Sequence, residues 1–197
     1  MAVGISSPLD QLDRSLAAVG ELISTIRPEQ WAAPTPCTDW TVRELVSHLV
    51  GMNRVFAALL ADGPPPRRGA GAAEEDLVRA YRESAAALLA AFSQPGALDR
   101  SYRGPLGAAT GAERLQIRLY DLLAHGWDLA RATGQPAQLP DDAAEHALAF
   151  ARVQIVDSTR PGRFGPVQVV SPEAPAIDRL VAFLGRRVES SGGAGFC

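Results

Sequence analysis

The sequence contains no lysine, only two cysteines and only three histidines among its 197 residues. All 19 basic residues are therefore arginine, which we attribute to the codon bias of a GC-rich genome. Cys37 and Cys197 lack the spacing of a cysteine metal motif, and a cytoplasmic compartment would keep both reduced. We therefore expect neither a disulfide framework nor a cysteine-based metal site.

Long apolar runs and a surplus of positive charge are missing as well. The longest apolar run covers residues 85–92, too short to cross a bilayer, and the N-terminus shows no basic stretch followed by a long apolar core. A formal net charge of −3 provides no basic excess to neutralise the phosphates of a nucleic acid. These absences predict a cytoplasmic protein that binds neither membranes nor nucleic acids.

The composition is that of a globular protein, with 47% hydrophobic and 21% charged residues. A chain of 197 residues suffices for one domain with a substantial core. We expect a single domain over residues 1–189 and a flexible glycine-rich tail over residues 190–197.

Apolar residues recur at spacings of three and four along most of the chain, which indicates helices. Thr41 and Glu44 fit a capping box at one helix start, and Gly134 is a suitable C-terminal stop for another. The predicted helices cover residues 8–26, 41–61, 73–92, 110–133, 140–156 and 175–189. The pattern predicts an all-α bundle with short additional helices, and it could include one short strand pair.

The segments between these helices are rich in proline and glycine. We expect an ordered loop over residues 27–39, because prolines inside a helix remove a backbone donor and clash with the preceding turn. An exposed arginine- and glycine-rich loop should follow residue 61. The long connection 94–111 could contain an extended piece at residues 100–103, and residues 166–170 could form a short strand.

His48 lies beside or within the apolar stripe of the second predicted helix, three residues after Leu45 and four before Met52. An imidazole is unusual there. It is either a core histidine whose nitrogens are satisfied by neighbours or a ligand for a metal ion.

Asp121 and His125 are four residues apart on the fourth predicted helix, which places their Cβ atoms about 6 Å apart on one face. They can share one metal ion, or they can simply form a helix-stabilising pair. If His48 faces this pair, three protein ligands meet and leave a coordination position open, as in catalytic zinc sites. Water or a thiol bound there would have a lowered pKa and would act as the nucleophile.

Other polar and aromatic residues near these positions have two readings each. Asp128 could orient His125, or it could form a salt bridge with Arg131. Trp40 and Trp127 are expected to be core anchors, although either could border a substrate pocket.

Two further reactive residue types are interpreted as structural. His146 follows several acidic residues and is expected to be solvated. Cys37 is expected to be a small buried residue rather than a nucleophile, because no histidine is near it in sequence, although one could be near it in space.

Three segments carry a family resemblance, namely TPCTDWTVRELVSHLVGMNRVF, LYDLLAHGWDLARATGQP and IDRLVAFLGR. They resemble small actinobacterial metal-binding proteins related to the N-terminal domain of mycothiol-dependent maleylpyruvate isomerase, in the DinB/YfiT-like superfamily. The resemblance covers residues 8–186 in order. It implies a DinB/YfiT-like four-helix bundle that binds zinc, nickel or another divalent metal through His48, Asp121 and His125.

The resemblance also implies an enzyme that uses a low-molecular-weight thiol, such as mycothiol, for transfer or isomerisation of a small electrophilic substrate. Candidate residues for positioning the thiol or substrate are Asn53, Arg54, Arg118 and Asp128. The isomerase reaction itself is not carried over, because the chain lacks room for that enzyme's additional C-terminal domain. The alternative is a non-catalytic metal-binding protein with a structural or interaction role. Relatives are often dimers, so a homodimer is compatible with the family.

Overall fold

The computed structural model describes residues 6–37, 40–64, 76–104 and 107–188. Most of the predicted loop after residue 61 and the whole predicted tail, 190–197, lie outside these residues. The described part contains these elements in chain order: α1 Pro8–Ser24, α2 Val42–Leu60, α3 Leu77–Phe92, β1 Ser101–Gly104, β2 Gly107–Thr110, α4 Gly111–Thr133, α5 Asp141–Gln154 and α6 Ala176–Phe183. The predicted all-α fold class, with one short strand pair, is confirmed.

Local capping residues explain where the main helices begin and end. Ser7, Thr41 and Thr110 each form a capping box at the start of α1, α2 and α4, respectively. These boxes satisfy backbone donors that have no partner within the helix. Gly134 ends α4 in the left-handed conformation, with φ 67°. The predicted boundaries of α2 and α4 are therefore confirmed to within one residue.

The first four helices enclose the main core. α2 packs along α3 and α1 along α4, and contacts of α1 with α3 and of α2 with α4 complete the arrangement. Their inward faces are fully buried leucines and other apolar residues, among them Leu12, Leu45, Leu49, Leu119 and Leu122. α5 and α6 pack against each other and against α4. Within the described residues, no helix is both long and apolar enough to cross a membrane.

α6 is shorter than predicted. α6 ends at Phe183 rather than near residue 189, because Gly185 turns the chain with φ 99°. The amide of Gly185 donates to Ala182 O (3.0 Å) and the amide of Arg186 to Val181 O (2.9 Å), which is a Schellman motif. The chain therefore leaves the helix early, and Arg186 turns back towards α4.

The predicted strand at residues 166–170 is wrong. This segment has no regular structure, and Val169 is fully exposed. The amide of Gln168 donates to Ala182 O (2.9 Å), at the end of a helix rather than to a partner strand. A hydrophobic run without a neighbouring strand cannot form a sheet.

The strand pair lies in the connection before α4, where the sequence suggested only one extended piece. β1 and β2 pair antiparallel, with Ser101 opposite Thr110. Arg114 of α4 holds the hairpin by donating to Tyr102 O (3.1 Å) and Gly107 O (2.6 Å).

Two other predicted boundaries need correction. The segment 27–39 is not loop throughout, because Pro28 begins a short 3₁₀ helix, Pro28–Ala32. Proline is tolerated at a first helical position, where its missing N–H is not needed. α3 begins at Leu77 rather than Ala73, and the Asp76 carboxylate caps it by accepting from the amides of residues 78 and 79.

Candidate metal centre

The three predicted metal ligands converge between α2 and α4. His48 Nε2 lies 3.7 Å from Asp121 Oδ1, and His125 Nε2 lies 3.5 Å from the same oxygen. One ligand atom from each residue lies within 4.8 Å of the other two. The imidazole rings meet edge to face, with centroids 4.9 Å apart. One ion could therefore contact all three side chains with small adjustments.

The Nε2 atom of His48 is buried and has no hydrogen-bond partner. Buried polar atoms nearly always have a partner, so this one needs an explanation. A histidine satisfied by core neighbours would not show it. The nitrogen instead faces Asp121, where a metal ion would satisfy it.

Asp121 is held in its orientation by the buried Arg118. The guanidinium of Arg118 donates to Asp121 Oδ2 (2.6 Å) and twice to Asn53 Oδ1 (3.1 and 2.7 Å). Asn53 in turn donates to Ser84 Oγ (3.2 Å). One carboxylate oxygen of Asp121 is thus occupied by arginine, and the other remains for the two imidazoles.

Two of the predicted cofactor-binding candidates are the members of this network. Arg118 and Asn53 are both 0% exposed. Their full burial favours a role in orienting Asp121. Direct contact of either residue with a cofactor stays a prediction. The third candidate, Arg54, is half-buried on α2, and its predicted role is likewise untested.

The fourth candidate, Asp128, lies behind His125. Its Oδ2 is 3.0 Å from His125 Nδ1 and 2.8 Å from a terminal guanidinium nitrogen of Arg186. From the contact with Asp128 we assign a proton to His125 Nδ1, so that Nδ1–H donates to this carboxylate and Nε2 is the nitrogen that remains to bind a metal once it has lost its own proton. A carboxylate in this place is the usual orienting partner of a metal-bound histidine.

The ionisable groups shift one another towards their charged forms. Burial would raise the pKa of Asp121, but His125, His48 and Arg118 hold it well below its usual value. Burial likewise opposes the charged form of His125, yet Asp121 and Asp128 raise its pKa. The pKa of Asp128 is lowered, against the effect of burial, by His125 and Arg186. Both carboxylates are therefore ionised at neutral pH, the form that binds metals.

The two tryptophans have different surroundings, and only Trp40 contacts the candidate ligands. The Trp40 ring lies 4.6 Å from the His48 ring and 5.8 Å from the His125 ring, centroid to centroid, so Trp40 borders the site. Trp127 is buried in the core and donates its Nε1–H to Asp178 (3.0 Å).

Cys37 is half-buried rather than buried as expected, and a histidine does lie near it in space. The Sγ atom of Cys37 and one ligand atom each of His125 and Asp128 all lie within 4.8 Å of one another. The loop before α2 folds back because the Thr35 amide donates a hydrogen bond to Trp40 O (3.1 Å), and this fold brings the cysteine towards α4. His146, by contrast, is exposed on α5 as predicted.

The family described as mycothiol maleylpyruvate isomerase N-terminal domain matches residues 12–130, which include all three candidate ligands. The chain belongs to this family. It is 36% identical over 184 residues to an uncharacterized protein from two strains of Mycobacterium tuberculosis, with 92% of this chain and 98% of the relative covered. The family resemblance inferred from the sequence, and its actinobacterial setting, are confirmed.

Solved structures show the same fold. The crystal structure of the mycothiol-dependent maleylpyruvate isomerase superposes with a TM-score of 0.59 at 16% identity, over 72% of this chain and 66% of that one. A form of that enzyme with one histidine replaced by alanine gives a TM-score of 0.57 at 16% identity. The chain thus spans slightly less than two thirds of the isomerase, and at this identity the likeness concerns the fold alone.

Proposed function

We propose that this protein binds one divalent metal ion through His48, Asp121 and His125 and uses it in a thiol-dependent reaction. The observation that carries the proposal is the buried Nε2 of His48, which has no hydrogen-bond partner and lies 3.7 Å from the same Asp121 oxygen that His125 Nε2 approaches to 3.5 Å. Two imidazoles and one carboxylate suit zinc best, although nickel would also accept them.

Three ligands rather than four favour catalysis over a purely structural role. Among the described residues, Cys37 forms a group of possible ligands with His125 and Asp128 and not with His48 and Asp121. This arrangement leaves a coordination position for an exogenous ligand.

The family supports a low-molecular-weight thiol, with mycothiol as the first candidate, acting in the cytoplasm on a small electrophile by transfer or isomerisation. A bound divalent metal supplies Lewis acidity, which favours the thiolate at neutral pH. His48 and His125 supply neutral nitrogen ligands, and Asp128 keeps the His125 ring in place. Trp40 covers one side of the two imidazoles and offers an apolar wall for the carbon skeleton of the thiol or substrate.

The metal site is tested by elemental analysis of the purified protein and of single variants. We expect about one metal ion per chain in the wild type, and loss of that metal in His48→Ala and His125→Ala. His146→Ala, which removes an exposed histidine outside the site, is the matched control and should keep its metal. Circular dichroism shows whether each variant retains its helices. An unchanged metal content in both site variants would contradict the proposal.

The thiol role needs its own experiment. Metal-loaded protein is heated with mycothiol and, separately, with its S-methyl derivative. A ligand that binds the folded state raises the melting temperature, so we expect a rise with the free thiol only. A metal-loaded protein that responds to neither would be assigned the structural or interaction role instead.

A further inference from the structure

We propose that Arg118 determines which ligand the metal accepts, because its buried charge cancels that of Asp121 and leaves the open position selective for anions. The inference rests on the proposed metal site and adds its ligand preference. Arg118 is thereby a positioning and specificity residue that acts through Asp121.

The charges around the site form two separate pairs. Asp121 is paired with Arg118 at 2.6 Å, and Asp128 is paired with Arg186 at 2.8 Å. Each carboxylate has its own guanidinium, so these four charged side chains sum to zero. The two histidine ligands are neutral when they bind a metal.

A divalent ion in this setting brings two positive charges that the paired carboxylates do not compensate. The surroundings are only partly hydrated, since the side chain of His125 is 9% exposed, that of Asp121 24% and that of His48 26%. Uncompensated charge is costly in such a place. An anion at the open position lowers this cost, whereas a neutral ligand of equal donor strength does not.

Arg118 acts as a fixed charge rather than a mobile substrate clamp. Its side chain is 0% exposed and donates to Asn53, to Asp121 and, more weakly, to Leu49 O at 3.4 Å. A guanidinium stays protonated at any physiological pH. It cannot reach an exogenous ligand without breaking this network, so its influence is electrostatic.

The Asn53→Asp variant separates the effect of the Arg118 charge from the effect of Arg118 on the position of Asp121. Both the Nε and a terminal nitrogen of Arg118 already donate to Asn53 Oδ1, so the introduced carboxylate fits the same contact. It neutralises the guanidinium but leaves the bond between Arg118 and Asp121 in place. Arg118→Met removes both the charge and the bond.

The test uses cobalt-loaded protein, whose visible spectrum reports ligands that bind the metal. Azide serves as the anionic probe and imidazole as the neutral one. We expect Asn53→Asp and Arg118→Met to weaken azide binding about tenfold or more, and imidazole binding less than about twofold. Arg114→Met is the matched control, because Arg114 is buried one turn earlier on α4 but donates to the hairpin carbonyls of Tyr102 and Gly107. It should change neither affinity.

The outcomes distinguish the two proposals. A wild type that takes up no metal refutes the proposed function. A wild type that binds metal, together with an Asn53→Asp variant whose azide affinity is unchanged or falls in parallel with its imidazole affinity, refutes only the role of Arg118. If Arg118→Met does not fold, Asn53→Asp alone decides, since it exchanges one amide nitrogen for oxygen.

Discussion

The Nδ1 atom of His125 lies 3.0 Å from Oδ2 of Asp128. This contact links the candidate metal centre to the turn that follows α6, because Asp128 also binds Arg186. Arg186 reaches Asp128 only because the chain turns at Gly185. A glycine outside the site thus helps to fix the orientation of a candidate metal ligand.

Replacing Asp128 with asparagine should weaken metal binding. Asn keeps the shape but loses the charge that stabilises the Nδ1 proton and pairs with Arg186, so we expect a loss of about 10- to 100-fold in metal affinity. Competition with a chromophoric chelator measures it. Asp178→Asn is the control. It removes a carboxylate on α6 that accepts from Trp127, the neighbour of Asp128 on α4, and it should leave the metal affinity within about twofold of wild type. Equal affinities for Asp128→Asn and wild type would remove Asp128 from the site.

Gly185→Ala should destabilise the fold more than an ordinary glycine substitution. Gly185 has φ 99°, and a Cβ atom there would lie 2.6 Å from Gly165 Cα. Backbone strain and a backbone clash together should lower the free energy of unfolding by about 2–4 kcal/mol. Gly96→Ala is the matched control, since Gly96 has φ 73° but nothing within 4 Å of its added Cβ, and about 1 kcal/mol is expected. Urea denaturation compares the two, and equal losses would mean that the contact with Gly165 is unimportant.

The features predicted correctly from the sequence are local ones. The capping box of Thr41 and Glu44 and the glycine after α4 involve residues within four positions of one another. The shared face of Asp121 and His125 follows from the helical repeat in the same way. Helix periodicity and capping are properties of short segments, so they can be inferred without knowing the fold.

The features missed by sequence reasoning all depend on contacts between distant segments. Arg118 meets Asn53 across two helices, and Arg186 meets Asp128 through a turn that shortens α6. Cys37 reaches His125 through a folded loop. No repeat or motif encodes these pairings, because each depends on how helices pack. The sequence named the candidate ligands, and it also named Asn53, Arg118 and Asp128 as further candidates, but it did not predict the contacts among them.

Tyr81 should make the protein less stable at alkaline pH. Its side chain is 1% exposed and its hydroxyl donates to Leu16 O, and burial raises its pKa well above the ordinary value despite the nearby charge of Arg118. Above pH of about 10, the unfolded chain loses the phenol proton but the folded chain keeps it. The free energy of unfolding should then fall by up to about 1.4 kcal/mol per pH unit from this residue.

Tyr81→Phe provides the control for this effect. The phenylalanine variant lacks the titrating group, so its stability should decline less steeply between pH 9 and 11 in urea titrations at each pH. At pH 8 it should be less stable than wild type by about 1 kcal/mol, through loss of the hydrogen bond to Leu16. Parallel declines for both proteins would show that other groups cause the alkaline loss.

Ser84→Ala should separate the stability of the buried network from metal binding. Ser84 accepts from Asn53 Nδ2 (3.2 Å) and lies at the end of the network remote from Asp121. Removal of its hydroxyl leaves a buried amide N–H without this acceptor, which should lower the free energy of unfolding by about 1–3 kcal/mol. Metal affinity should stay within about twofold of wild type, because Asn53 still accepts from Arg118 through Oδ1.

Ser93→Ala is the control. It removes an exposed hydroxyl from the end of the same helix as Ser84, and it should lower the free energy of unfolding by less than about 0.5 kcal/mol. A Ser84→Ala variant with strongly weakened metal binding would mean that the whole chain of contacts, rather than the Arg118 and Asn53 pair, orients Asp121.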